Sequence, residues 1–239
     1  MHASLKAALF DLGNTLVSYY TREEFPEVLG RSLSAVRGRL AGMGLVRVTA
    51  REAWRRAQDE GREADDCRVR PLIGRLSRVF GLSEQELDDA QRDALCRAFV
   101  APIFALGQVY DDVPDTLAVL RARGVRTAIV SNTPWGSPAY LWREEVARLG
   151  LADMVDAVVF CGDVGWRKPA RPIFGHALAL LGLRAEDCVF AGDDSRWDVA
   201  GPLAVGMKAV LVDRAGHEAA AEVPVIRGLH ELPGLVFGG

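Results

Sequence analysis

The chain has 239 residues, of which 49% are apolar and 26% charged, and its formal net charge is −3. A chain this long buries roughly 70–75% of its unfolded surface on folding, and its composition excludes a disordered chain, whose few apolar groups could not repay the entropy of ordering. The charge balance gives no reason to expect nucleic acid or an anionic membrane as partner, and no apolar run approaches the ~18 residues needed to span a bilayer.

In chain order, the opening segment MHASLKAALFDLGNT has neither a basic start nor a long apolar core, and Asp11 interrupts it, so it does not read as a secretory signal. Residues 5–10 read as a short strand ending at Asp11. From 16 to 107 the pattern becomes helical and poor in strand signals. Phe25, Val28, Leu29, Leu33, Val36 and Leu40 recur at helical spacing over 23–41. Thr49…Glu52 and Ser83…Glu86 both fit a capping box, in which each side chain satisfies an orphan amide of the first turn. Helices are predicted over 51–65 and 84–100, with a shorter one over 71–80.

From 108 the rhythm is strand and helix in alternation. Helices are predicted over 114–123, 141–149, 172–181 and 197–205, closed by Gly124, Gly150, Gly182 and Gly206. Strands are predicted over 125–130, 155–160, 188–191 and 208–212. Apolar strands alternating with amphipathic helices imply a parallel sheet covered on both faces. The expected fold is therefore α/β: a doubly wound, Rossmann-like core from 1–15 and 108–239, with an all-helical insert, 16–107, after the first strand.

Cys67, Cys96, Cys161 and Cys188 lie far apart and form no CxxC, which reads as reduced thiols and a cytoplasmic protein. Only three of the 29 basic side chains are lysines: Lys6, Lys168 and Lys208.

In open α/β sheets ligands bind beyond the carboxyl ends of the strands. Four polar clusters fall at those points: Asp11, Ser131–Asn132, Lys168 and Asp193–Asp194. Singly, each could be only a helix cap or a solvated charge. Together they define a chemistry. Converging carboxylates cannot all ionise comfortably without a cation, and hard oxygen ligands with room for water and phosphate suit Mg²⁺. A carboxylate can serve as nucleophile, while a lysine and a serine hydroxyl stabilise transferring phosphoryl oxygens.

These stretches, FDLGNTL (10–16), IVSNT (129–133), RKPARPIF (167–174) and AGDDSRWDVAGPLAVGM (191–207), resemble the four motifs of the haloacid dehalogenase superfamily, specifically the subfamily with a helical cap between the first two motifs. The resemblance covers about 5–15 and 108–214; the insert matches only in position and helical character. It implies Asp11 as the nucleophile that takes a phosphoryl group, with Ser131, Asn132 and Lys168 at the substrate phosphate and Lys168 also shielding Asp11. It implies Mg²⁺ held by Asp11, the Gly13 carbonyl, Asp193 and Asp194, with Thr15 and Asp198 behind. Asn132 would also orient its loop, and Asp198 would also cap the following helix. The implied substrate is a small phosphorylated metabolite.

One position departs from the family pattern. Its phosphatases carry a second Asp two residues after the nucleophile, which protonates the leaving oxygen and then activates water; here that residue is Gly13. Such acid–base help is worth about 10²–10⁴ in rate. Three readings follow: a Mg²⁺-dependent phosphatase helped by a good leaving group, by the substrate or by another residue; a weak or inactive member kept for binding or regulation; and a metal-free 2-haloacid dehalogenase. Asp193 and Asp194 speak against the last, because without a cation they would repel Asp11. The insert contains no lysine, so Schiff-base chemistry from it is excluded. Tyr19, Tyr20, Glu23 and Glu24 are the nearest replacement acids in sequence. His2, His176, His217 and His230 carry no catalytic expectation. Trp135, Trp166 and Trp197 read first as packing between insert and core, and second as an apolar rim for an aromatic substrate. The loop 131–138, with two prolines and a glycine, is the expected place for substrate contacts.

Overall fold

The computed structural model describes residues 5–60, 65–216 and 222–237; His2, His217 and residues 61–64 of the helix expected over 51–65 lie outside them. The described elements run β1 (Ala7–Phe10), β2 (Val17–Ser18), α1 (Phe25–Gly42), α2 (Ala50–Glu60), α3 (Leu72–Phe80), α4 (Asp89–Phe104) and β3 (Gln108–Val109). They continue with α5 (Val113–Ala122), β4 (Arg126–Ser131), α6 (Ala139–Arg148), β5 (Ala157–Phe160), α7 (Cys161–Val164) and α8 (Arg171–Leu181). The chain closes with β6 (Cys188–Gly192), α9 (Gly201–Val205), β7 (Lys208–Val212), β8 (Val225–Ile226) and α10 (Leu232–Phe237).

Six strands form one parallel sheet in the order β5-β4-β1-β6-β7-β8. This is the expected Rossmann-like α/β fold. Side chains alternate between its faces as strand geometry requires. Ala7 and Leu9 of β1 join Ala128, Val130 and Phe190 against Ile173, Phe174 and Ala177 of α8. Ala8 and Phe10 point the other way, into a second cluster with Ile129 and with Leu117 and Leu120 of α5. Both faces are thus covered, so every residue of β1 is buried. Gly182 closes α8 in the left-handed conformation (φ 61°), which lacks a Cβ penalty only for glycine.

The four helices α1–α4 fall between β2 and β3, which pair antiparallel, Val17 beside Val109, where the chain leaves the sheet and returns to it. α1 packs on α4 through Val28, Leu33, Val36 and Leu40 facing Leu95, Phe99 and Ile103. The helix expected over 84–100 is divided. The Ser83–Glu86 capping box is present, but it caps a short 3₁₀ turn (Glu84–Glu86). The backbone then becomes extended at Leu87, which is buried, and α4 starts behind a second box, Asp88–Gln91. At Thr49 only half of the predicted box forms: its hydroxyl accepts from Glu52 N at 3.2 Å, while the Glu52 carboxylate turns to Arg55 and Arg56. The helix predicted over 197–205 begins earlier, as a π-helical turn (Ser195–Ala200) capped by Asp194, and becomes α-helical only at α9.

Candidate active site

β1 lies between β4 and β6, so the residues that follow these three strands meet at one rim of the sheet. Asp11 leaves β1 with its amide donating to Ala191 O at 3.0 Å, which ties it to β6. Ser131 is the last residue of β4, and Asp193 directly follows β6. Lys168 arrives from the loop between α7 and α8, and two reciprocal hydrogen bonds fix its backbone: Lys168 N donates to Asn132 Oδ1 at 2.8 Å, and Asn132 Nδ2 donates to Lys168 O at 3.2 Å. The Asn132 amide, expected at the substrate phosphate, lines the cavity and also holds the lysine backbone.

The Lys168 ammonium is buried and donates to Asp11 Oδ1 and Asp198 Oδ1, each at 2.6 Å. Asp198 stands on the π-helical turn, and its Oδ2 accepts from Asp194 N at 3.1 Å. Its side chain lies directly on Gly192, where an added Cβ would come within 2.4 Å of it. The motif therefore needs glycine at 192 for close approach rather than for an unusual backbone angle.

Carboxylate oxygens of Asp11, Asp193 and Asp198 lie within 4.8 Å of one another. Asp194 stands outside this group. Its Oδ1 accepts from the amides of Arg196 and Trp197 at 2.9 and 3.0 Å, and its Oδ2 faces Arg22 at 3.3 Å. Three carboxylates against one ammonium leave two negative charges uncompensated. Burial works against the Lys168 ammonium, but the charges and hydrogen bonds of Asp11 and Asp198 outweigh it and hold its proton firmly. Burial pushes Asp198 up from the ordinary carboxylate value against the pull of Lys168. Asp193 is exposed at the rim, yet desolvation of its inner edge and the facing Asp11 and Asp198 push it to about 8. Oxygen donors carrying this excess negative charge fit a divalent cation, and Mg²⁺ is the hard ion such a set suits.

Around the cluster is a cavity of about 400 Å³, lined by Asp11, Gly13, Asn14, Ser131, Asn132, Lys168, Asp193 and Asp194, and beyond them by Tyr19, Tyr20, Arg22, Phe25, Thr133, Pro134, Trp142, Arg167 and Trp197. Thr15 is fully buried behind it, and its carbonyl accepts from Arg214 at 2.8 Å. A side chain at Gly13 would meet Tyr19 Cδ2 at 3.8 Å, an ordinary contact, so the position has room for one. Glu23 and Glu24 do not line the cavity, and the Glu24 carboxylate instead accepts from Thr21 N at 2.8 Å. His176 and His230 are exposed and away from it. Burial raises the hydroxyls of Tyr19 and Tyr20, Tyr20 to about 12.

The three tryptophans separate. Trp135 is buried against Phe99 of α4, with ring centroids 5.5 Å apart. Trp166 carries the Arg68 guanidinium 3.6 Å above its ring. Both pack the insert onto the core. Trp197 lines the cavity, with Arg167 at 5.5 Å. Sequence reading missed Phe25, Arg22, Arg167 and Trp142 as lining residues. Trp142 sits inside the helix α6 with no motif around it. Its one available signal was its proximity to the proline-rich loop, whose Ser137 hydroxyl accepts from the indole at 2.8 Å.

A family model of haloacid dehalogenase-like hydrolases matches residues 5–206. The chain is 38% identical over 111 residues to a ribulose-1,5-bisphosphate 5-phosphatase of Halopiger xanaduensis, a match covering 46% of this chain and 45% of that enzyme, so it spans about half the relative's length. It is 28% identical to a phosphatase of Mycobacterium tuberculosis over 98% of both chains. Among solved structures it resembles a phosphatase from Thermococcus onnurineus (TM-score 0.68, 27% identity, 98% of this chain and 99% of that one). It also resembles a 2-haloacid dehalogenase from Pseudomonas syringae (TM-score 0.66, 25% identity, 98% of both chains). No helix among the described residues is long and apolar enough to cross a membrane.

Proposed function

Because the chain belongs to the haloacid dehalogenase-like hydrolase family, we propose that it is a cytoplasmic, Mg²⁺-dependent phosphatase that hydrolyses a small phosphomonoester through an aspartyl-phosphate on Asp11. The observation that carries this reading is the arrangement of Asp11, Asp193 and Asp198 about one buried lysine at the foot of a cavity. The named phosphatase relatives support it.

Asp11 attacks phosphorus with the oxygen not held by Lys168. The lysine keeps Asp11 ionised and offers its charge to the incoming phosphoryl oxygens. The Ser131 hydroxyl, at the cavity wall, donates to another of them. Asp11, Asp193 and Asp198, with the Gly13 carbonyl and the adjacent Asp194, would hold Mg²⁺; bound there, it supplies charge neutralisation for the transferring group. Asn132 positions Lys168, and Thr15 steadies the first loop. Residues 16–107 act as a cap over the core of 1–15 and 108–239. Tyr20, Arg22 and Phe25 at the start of the insert reach the cavity, and closure there excludes water before transfer. The cytoplasmic assignment rests on four free cysteines.

Dehalogenation is not favoured. A metal-free site has no reason to gather three carboxylates within 4.8 Å of one another. The test is phosphate release from p-nitrophenyl phosphate and a panel of metabolite phosphates. Activity that needs Mg²⁺ and disappears in Asp11→Asn is the expected result. Chloride release from 2-chloropropionate without metal would contradict it.

A further inference from the structure

We propose that the preferred substrates are small aryl phosphates, whose phenolate departs without a proton donor. This rests on the phosphatase reading above and narrows its substrate class.

Two independent features of the cavity lead there. The first is an account of its proton donors. The carboxyl groups lining it are Asp11, Asp193 and Asp194. Asp11 is the nucleophile, Asp193 would be committed to Mg²⁺ under the phosphatase reading and so hold no proton to give, and Asp194 is bound by two backbone amides and Arg22. No histidine or cysteine is among the described lining residues, and residue 13 has no side chain. The Tyr19 hydroxyl is buried away from the cavity space. The Tyr20 hydroxyl, pushed up to about 12 by burial, is a far weaker acid than the carboxyl group that residue 13 lacks. A leaving alkoxide, whose conjugate acid is about as weak as water (~15.7), would find no partner as acidic and as free as that missing carboxyl group. A phenolate, whose conjugate acid lies near ~10, needs none.

The second feature is the aromatic part of the cavity wall. Tyr20, Phe25, Trp142 and Trp197 line the cavity beyond the acidic cluster. Tyr20 and Phe25 lie together with centroids 5.7 Å apart. The only donor of Trp142 is already taken by Ser137, so it presents an apolar ring. A polyol phosphate would lose its water against the faces of these rings, which offer only the Tyr20 hydroxyl and the Trp197 indole as hydrogen-bonding groups in return. An aromatic ring gains contact with them.

The chemistry balances without a further group. An Asp11 oxygen forms a bond to phosphorus as the P–O(aryl) bond breaks, and that electron pair leaves on the phenolate, which takes a proton from solvent. Water oxygen then bonds to the same phosphorus, the pair of the Asp11–phosphorus bond returns to Asp11, and the water's protons leave with phosphate and solvent.

The experiment measures kcat/KM with Mg²⁺ for phenyl phosphates of graded phenol acidity, for glycerol phosphate and for acetyl phosphate, which has a good leaving group and no ring. Expected are about a hundredfold or greater preference for phenyl over glycerol phosphate and a steep fall in rate as the phenol becomes less acidic. Gly13→Asp should flatten that dependence and raise glycerol phosphate turnover about tenfold or more. Trp197→Ala and, should that variant fold poorly, Phe25→Ala should raise KM for phenyl phosphate severalfold more than for acetyl phosphate. Glycerol phosphate within tenfold of phenyl phosphate, a rate independent of phenol acidity, or equal effects of the wall variants on both phosphates would overturn the inference while leaving the phosphatase reading intact. A phosphotyrosine peptide turned over faster than free phosphotyrosine would overturn the assignment to small molecules. No phosphate release from any compound, acetyl phosphate included, removes the phosphatase reading and the inference with it.

Discussion

Asn132 and Lys168 grip one another through two hydrogen bonds, at 2.8 and 3.2 Å, between one amide side chain and one peptide backbone. They stand 36 residues apart in the chain, so this pair sets where the ammonium of Lys168 lies relative to Asp11. Asn132→Ala leaves both backbone groups without their partner, a cost of about 1–3 kcal/mol. The expected outcome is a lower Tm and a fall in kcat of about tenfold or more, with Mg²⁺ affinity close to that of the unaltered protein. Calorimetry and steady-state kinetics check it.

Gly192→Ala places a methyl group 2.4 Å from the Asp198 side chain. Overpacking of this kind costs about 1–3 kcal/mol, and the displaced carboxylate loses its 2.6 Å contact with Lys168. Stability and Mg²⁺ affinity should fall together, in thermal melts with and without the ion.

The acidic cluster makes stability depend on pH. Asp193 lies at about 8 in the folded chain because of desolvation, Asp11 and Asp198. A carboxyl raised above its unfolded value keeps a proton that the unfolded chain releases, so stability declines as pH climbs from about 4 toward 8. In divalent-free buffer, Asp193→Asn should therefore melt above the unaltered protein at pH 8.5, and the gap should close near pH 4. Saturating Mg²⁺ should reverse the order at pH 8.5, since only the unaltered protein gains the bound ion. Melts across this range with and without chelator decide it.

Five of the six strands of the sheet were legible in the sequence because they are apolar runs between helices that end in glycine, and β8 was not because it is only two residues long. The positions of Asp11, Ser131 and Asp193 were legible because each falls at or just beyond the end of a strand, and that of Lys168 because it stands in the loop that follows β5 and α7. The split between Asp194 and Asp198 was not. Both carboxylates sit in one short acidic stretch, and only the π-helical turn decides that Asp194 faces the amides of Arg196 and Trp197 while Asp198 meets Lys168. The bonds of Asn132 to Lys168 were not legible either, because its partner is a backbone and backbone groups leave no trace in composition. Trp142 and Phe25 reach the cavity from helices whose periodicity reports only that they are buried.

The account stands most directly on phosphoryl transfer to Asp11, and rapid acid quench of the enzyme mixed with phenyl phosphate and Mg²⁺ tests that step. Without a carboxylate at residue 13 to activate water, phenol should appear in a burst of about one equivalent per enzyme, and the Asp11 peptide should be heavier by one phosphoryl group. Turnover that proceeds with no burst and no phosphorylated Asp11 peptide at any quench time would contradict it.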